Sequence, residues 1–509
     1  MPDTPHVTLR LHENDDVAVA RVDLAPGTPV AGTNATAAEA IPAGHKVSLR
    51  EVAEGTPLRK YDQIIGFASA PIPSGAHVHT HNLAMADFDR DYRIGEDARA
   101  VQILPEAERA TFEGYKRAGG RIATRNYLGV LTSVNCSATV ARRIADHFNG
   151  DALAAYPNVD GVVALTHGTG CGMNVAGEGM TLLQRTVAGF ARHPNFASVL
   201  LVGLGCEVAQ LPRIAEAEEL TEGAQLRMMT IQSSGGAAAT VRKGIQIIES
   251  MLPAANDVAR EPCPASALIL GMECGGSDGY SGISANPALG AAADRLVKHG
   301  GTAILGETPE IYGAEHLLTA RAASPQVAQK LIGLIKWWED YTARNHGDMD
   351  NNPTPGNKEG GLTTILEKSL GAAAKGGTTP LMDVYAYAET VVAKGFVFMD
   401  TPGFDPASIT GMVAGGANVV CFTTGRGSVY GCKPSPSIKI ATNSPMYSRM
   451  SEDMDVNAGL VVDGKASIEE MGEIIFQKIL ATASGEQTKS EAFGLGDEEF
   501  VPWQVGAVM

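Results

Sequence analysis

Leu128-Gly129-Val130-Leu131-Thr132-Ser133-Val134 is an apolar run that breaks into Asn135-Cys136-Ser137. A short apolar run closed by a polar turn is the mark of a strand buried on both faces of a parallel sheet. The pattern recurs three times. Residues 159–165 run into His167-Gly168-Thr169-Gly170-Cys171-Gly172, and residues 199–204 into Gly205-Cys206-Glu207. Residues 267–272 run into Glu273-Cys274-Gly275-Gly276-Ser277-Asp278. Helix-like stretches separate these strands, so from Gly114 onward the chain reads as α/β. Ligands of open α/β sheets sit beyond the carboxyl ends of the strands. The four cysteines are therefore candidates to converge on one crevice. The other reading of each is a small buried hydrophobe beside a tight turn.

The chain has 509 residues, enough for two to four domains with real cores. Glycine is the compositional outlier at 58 residues, of which only 7 fall in residues 1–110. The excess belongs to the α/β body, where it marks sharp turns and close backbone approaches. With 40 basic and 57 acidic residues the net charge is −17, which argues against nucleic acid as the main partner. Aromatic residues are 6% of the chain, too few to suggest carbohydrate or base-stacking platforms. No apolar run approaches the roughly 18 residues of a membrane span, and Met1-Pro2-Asp3-Thr4-Pro5 lacks the features of a signal peptide. Seven sparse cysteines fit reduced thiols or metal ligands in the cytoplasm.

Ahead of the α/β body, residues 6–84 alternate short β-type runs with turns such as Pro26-Gly27, Ala43-Gly44 and Pro73-Ser74-Gly75. That spacing predicts a small all-β module. Residues 85–112 are charged (Asp87, Asp89, Arg90, Asp91, Arg93) and read as a linker. The expected order is a β domain over residues 1–92, a linker over 93–112, an α/β second domain over 113–260 and a C-terminal α/β domain over 261–509.

The sharpest chemical cluster is His77-Val78-His79-Thr80-His81-Asn82. On a strand, His77, His79 and His81 share a face, an arrangement suited to a transition metal; a solvated strand end is the plainer reading. His45-Lys46 follows the turn at Gly44 and pairs a possible base with a cation. Arg125, Lys358 and Arg426 sit in turns and are candidates to hold a carboxylate. There is neither a Walker motif nor a placed GxGxxG, so nucleotide binding is not indicated.

Taken in order, Gly119–Tyr127, Val134-Asn135-Cys136, His167–Gly172, Gly203–Glu207, Cys274–Asp278, Glu307-Thr308-Pro309-Glu310, Asn352–Gly361 and Thr424-Gly425-Arg426-Gly427 resemble the altronate dehydratase/galactarate dehydratase family. The resemblance covers nearly the whole chain. Gly44-His45-Lys46 and His79-Thr80-His81-Asn82 look like the SAF-type β-clip domain of these enzymes, and Glu307–Glu310 followed by Tyr312-Gly313-Ala314-Glu315 looks more like the altronate branch.

The resemblance implies a small N-terminal SAF/β-clip domain followed by a Gly-rich α/β catalytic body of two subdomains. It implies loss of water from an aldonic or aldaric acid to give a 2-keto-3-deoxy acid. Galactarate-type dehydration, a sulfolactate-type carbon–sulfur lyase and a non-catalytic sugar-acid-binding protein are the alternatives. His79 and His81 are then expected as ligands of Fe2+, Mn2+ or another divalent metal, with His45 and Lys46 near the substrate. Cys136, Cys171, Cys206 and Cys274 keep open a second possibility, a [4Fe–4S] cluster on three of them. The expected partners are a small anionic sugar acid and, at most, further copies of the chain.

Overall fold

The computed structural model describes residues 7–86, 88, 90–506 and 509. The Met1–Pro5 stretch and the linker charges Asp87 and Asp89 lie outside these residues.

The N-terminal module is all β, as its turn spacing predicts. Strands Thr8–Leu9, Val17–Ala20, Lys46–Ser48 and His77–Val78 form one antiparallel sheet, and Pro57–Lys60, Gln63–Ala68 and Leu83–Ala84 form another. The segment after the module is laid along the C-terminal domain, where the Gly95 and Leu104 amides donate to the Thr319 and Lys298 carbonyls. Its continuation, Thr111–Lys116, pairs antiparallel with Glu261–Pro264.

The second domain holds four parallel strands in the spatial order Gly161–Leu165, Tyr127–Thr132, Phe196–Gly203, Leu226–Thr230. The C-terminal domain is built on seven parallel strands. Leu381–Tyr385, Gly395–Met399, Thr302–Leu305 and Ile269–Cys274 fill one half, and Val419–Thr424, Ser437–Ala441 and Val456–Asn457 fill the other. Val419–Thr424 and Gly395–Met399 are buried at every position, which is why they read as unbroken apolar runs. In each sheet the first strand is flanked by strands whose connections leave in opposite directions, and the carboxyl end of that pair is where a crevice opens. The switch lies between Tyr127–Thr132 and Phe196–Gly203 in the smaller sheet, and between Ile269–Cys274 and Val419–Thr424 in the larger. Among the described residues no helix is long and apolar enough to cross a membrane.

The module is fastened to the C-terminal domain by a fully buried charge triad. Lys46 donates to Glu367 Oε2 (2.8 Å) and Lys60 to Glu367 Oε1 (3.0 Å), while Lys46 also reaches the Gly361 carbonyl at 2.7 Å. Glu367 stands in the first turn of helix Ile365–Ala373, capped by Thr364, whose hydroxyl also donates to the Ile65 carbonyl of the module. Glycines make this approach possible. A Cβ at Gly279 would lie 2.0 Å from the Gly44 carbonyl oxygen, and one at Gly361 would lie 2.3 Å from the same atom. Apolar packing completes the joint, with Val17, Leu58, Ile65 and Val78 of the module against Ala314, Leu370 and Ala373 of the body.

Burial alone raises the Glu367 carboxyl, but Lys46 and Lys60 outweigh it and hold the group down at about 2. A depressed carboxyl stabilises the fold above its ordinary value of 4.5 and loses that contribution as pH falls towards about 2. Urea unfolding across that window is expected to show stability falling in the wild type. Glu367→Gln strands two buried ammonium groups and is expected to cost about 3–5 kcal/mol at neutral pH, removing this part of the acid dependence. An unchanged acid slope in the variant would show that the triad does not carry it.

Candidate active site

The histidine cluster forms, with one change of membership. Strand pairing sets Lys46 opposite Val78 and Val47 opposite His77, so His45 arrives beside the His77–His79 segment. One ligand nitrogen from each of His45, His77 and His79 lies within 4.8 Å of the others. His45 Nδ1 is 3.0 Å from His77 Nε2, and the His77 and His79 rings are nearly parallel with centroids 5.3 Å apart. The strand ends at Val78, and the chain turns there because Asn82 accepts from the His79 amide and donates to the His77 carbonyl. That turn carries His81 out to an exposed position. His81 stays next to the cluster, its ring centroid 5.5 Å from that of His77, while the tight set of nitrogens is completed by His45, expected beside the substrate.

Three features fit this set to a metal ion. The His45 Nε2–H donates to the Glu359 carbonyl at 3.1 Å, which leaves Nδ1 as the bare nitrogen facing His77. His79 Nδ1 is buried without any hydrogen-bond partner. Burial first, then the neighbouring rings and Lys46, lower His77 to about 4 and His79 to about 3; burial likewise lowers His45. All three imidazoles are therefore neutral at neutral pH, the form that binds metal.

Beside this cluster, module and body enclose a crevice of about 370 Å³. It opens at the switch point of the seven-stranded sheet, between the turn at Asp278 and the turn at Gly425-Arg426. Arg21 and Ala43 come from the module, and Glu359, Arg426, Asn443 and Arg449 from the body. Asp278 is buried and accepts from Thr442, Asn443, Ser281 and the Tyr280 amide, so it is a fixed wall of the site. Glu359 is exposed and, among the described residues, its carboxylate pairs with Arg426 at 3.1 Å.

The other expected residues divide. Arg426 lines the crevice; Lys358 is half-buried on the short helix Pro355–Glu359 next to Glu359 but is not part of the lining. Lys46 is the structural clamp described above, facing Glu367 and not the crevice. Arg125 is buried elsewhere. Its guanidinium donates to both Glu491 oxygens and to the Thr124, Thr482 and Glu486 carbonyls, which leaves nothing for a substrate. Cys136, Cys171 and Cys206 are exposed on the second domain. Cys274 does not join them. It ends a strand of the other sheet, with its Sγ 3.7 Å from Glu310 and 3.9 Å from Glu307. Those carboxylates pair with Lys368 and Lys375, and burial raises the thiol well above its ordinary value. Arg21 and Arg449 were not legible as site residues, since lone arginines in ordinary sequence carry no motif.

Family models match the chain in three consecutive pieces. Residues 6–86 match the altronate/galactarate dehydratase SAF domain, 114–256 the D-galactarate dehydratase/altronate hydrolase second domain, and 265–508 the D-galactarate/altronate dehydratase C-terminal domain. The chain belongs to the altronate/galactarate dehydratase family. It is 36% identical to the galactarate dehydratase (L-threo-forming) of Escherichia coli (strain K12), over 96% of this chain and 95% of that protein. It is 35% identical to the altronate dehydratase of the same organism, over 95% and 96%. The (2R)-sulfolactate sulfo-lyase subunit beta of Chromohalobacter salexigens is 33% identical, over 78% of this chain and 98% of that subunit. As a member of the dehydratase family the chain is an enzyme, a hydro-lyase.

If the three imidazoles bind the metal, His77→Ala or His79→Ala will weaken Mn2+ binding by more than about tenfold in anaerobic calorimetry. His81→Ala is expected to leave it within about twofold. Equal losses at all three positions would restore the ligand set read from the sequence.

Proposed function

We propose that this enzyme dehydrates a six-carbon sugar acid of the altronate type to its 2-keto-3-deoxy acid in the crevice between module and C-terminal domain. The observation that carries the reading is the set of three neutral imidazoles, tied through His45 to the carbonyl of Glu359, whose residue lines the arginine-rich crevice. His45, His77 and His79 would hold ferrous iron or another divalent metal such as manganese. A divalent metal supplies Lewis-acid polarisation to a carboxylate and an adjacent hydroxyl, which makes the proton between them acidic enough to remove.

The chain's own residues set the geometry. Arg426 would receive the substrate carboxylate, and Asp278 and Asn443, which line the same crevice, would meet hydroxyls. Proton removal from C2 needs a carboxylate that is free to protonate. Burial raises the Asp278 carboxyl, but both its oxygens are taken up by the donors around it, whereas Glu359 is exposed and reaches the crevice, so we assign the base to Glu359 on access. Loss of the C3 hydroxyl then gives an enol that ketonises. The similarity to a sulfo-lyase subunit supports a second reading, in which the same proton abstraction expels sulfite from a sulfonated hydroxy acid.

Incubation with a panel of aldonates, aldarates and sulfolactate separates these readings by product. A 2-keto-3-deoxy acid from an aldonate supports the first, the same product class only from aldarates moves the assignment to the galactarate branch, and sulfite supports the second. Glu359→Gln is expected to lower kcat about 100-fold or more while Mn2+ binding is retained. An unaltered kcat would remove Glu359 as the base.

A further inference from the structure

The second domain carries an unusual feature that the dehydration crevice does not use. Three free cysteines, Cys136, Cys171 and Cys206, are exposed together at the carboxyl ends of three neighbouring parallel strands. Exposed thiols are prone to oxidation, and three at one sheet edge are a costly surface unless something binds them.

Their loops are stitched to one another. The Asn135 amide, next to Cys136, donates to the Thr169 carbonyl at 3.0 Å. The Gly170 carbonyl, next to Cys171, accepts from the Ala209 amide at 3.0 Å. Glu207, next to Cys206, accepts from the Ser133 hydroxyl at 2.8 Å and from the Leu204 amide at 3.2 Å. Each cysteine is therefore anchored, within a few residues, to the loop of another. The closeness is enforced by backbone. Gly170 (φ +96°) has no room for a side chain, since a Cβ there would lie 2.1 Å from the Ser133 carbonyl oxygen. Cys171 is also followed by Gly172 (φ +68°), and Cys206 is preceded by Gly205 (φ +123°). These positive-φ glycines make the tight turns that leave the three thiols exposed at this end of the sheet.

The spot is the switch point of the four-stranded sheet, the place where open α/β sheets bind ligands. Its donor set is entirely soft, which selects against hard cations such as calcium or magnesium and favours thiophilic centres. Among the described residues, the groups with three ligand atoms within 4.8 Å of one another are the imidazole set and two sets in the acidic network around Glu307. The three sulfurs are not one of these sets, so they are not gathered as closely as the ligands of a single zinc ion; the Cys206 sulfur accepts from Gln232 Nε2 at 3.2 Å.

We infer that Cys136, Cys171 and Cys206 ligate a [4Fe–4S] cluster through three thiolates, leaving the fourth iron open to an exogenous oxygen ligand. The site is on a different domain from the imidazole set, so it stands or falls independently of the proposed dehydration crevice.

Anaerobic reconstitution of the full chain with ferrous iron and sulfide is expected to give about four iron and four acid-labile sulfides per chain. Cys136→Ser, Cys171→Ser and Cys206→Ser are each expected to lower bound sulfide by about tenfold or more, while Cys274→Ser retains it. A second readout needs no variant. Thiol alkylation mapped by mass spectrometry should modify these three cysteines before reconstitution and spare them afterwards. Iron uptake without sulfide, one zinc bound at these thiols, or undiminished alkylation after reconstitution would each overturn the inference. Because sulfide content and alkylation are read instead of turnover, failure here leaves the reading of the imidazole site untouched.

Discussion

One carboxylate shared by two lysines governs the architecture around the crevice. Glu367, Lys46 and Lys60 are all buried between the module and the C-terminal domain, where removing Glu367 leaves both ammonium groups without solvent or counterion. Such a triad adds little net stability over apolar packing, but it tolerates only one docking position. His45 neighbours Lys46 on the same strand end, so fixing Lys46 against Glu367 also fixes the imidazole set against Glu359. The module brings the histidines and the body brings the arginine at position 426. The clamp fixes one against the other.

The two sheets place chemistry by the same rule. In each, the first strand lies at the point where connections diverge, and candidate residues stand in the turn at its carboxyl end. In the larger sheet that turn presents Asp278 opposite Arg426; in the smaller it presents Cys136 opposite Cys206. Cys274 ends the first strand of the larger sheet, yet its side chain points into the core, where Lys368 and Lys375 balance the carboxylates around it. The repeated strand-then-cysteine phrase in the sequence thus covers two environments, three exposed thiols and one buried in an ionic network.

Much of the fold was legible because its signals are local. Buried parallel strands need unbroken apolar runs, turns need glycine and proline, and both stand in order along the chain. The site was legible only in part. His79 and Arg426, singled out because they sit in dense motifs, lie in the imidazole set and on the crevice wall. The strand alternation expected through His81 ends at Val78, where Asn82 bends the backbone out of the strand and leaves His81 exposed beside His77. Arg125 stands in an equally dense motif, but nothing local reveals that Glu491, 366 residues away, takes up its guanidinium.

The sequence by itself determined the family, the all-β module followed by α/β domains, and the residue types available for chemistry. These depend on periodicity, turn propensity and motif order, which are properties of neighbouring residues. Only the tertiary structure decided which of them act together. It joined His45 to His77 and His79, turned Lys46 and Arg125 to structural duty, and parted Cys274 from the other three cysteines. Those outcomes rest on pairings between residues tens to hundreds of positions apart, and burial, charge balance and strand register set them.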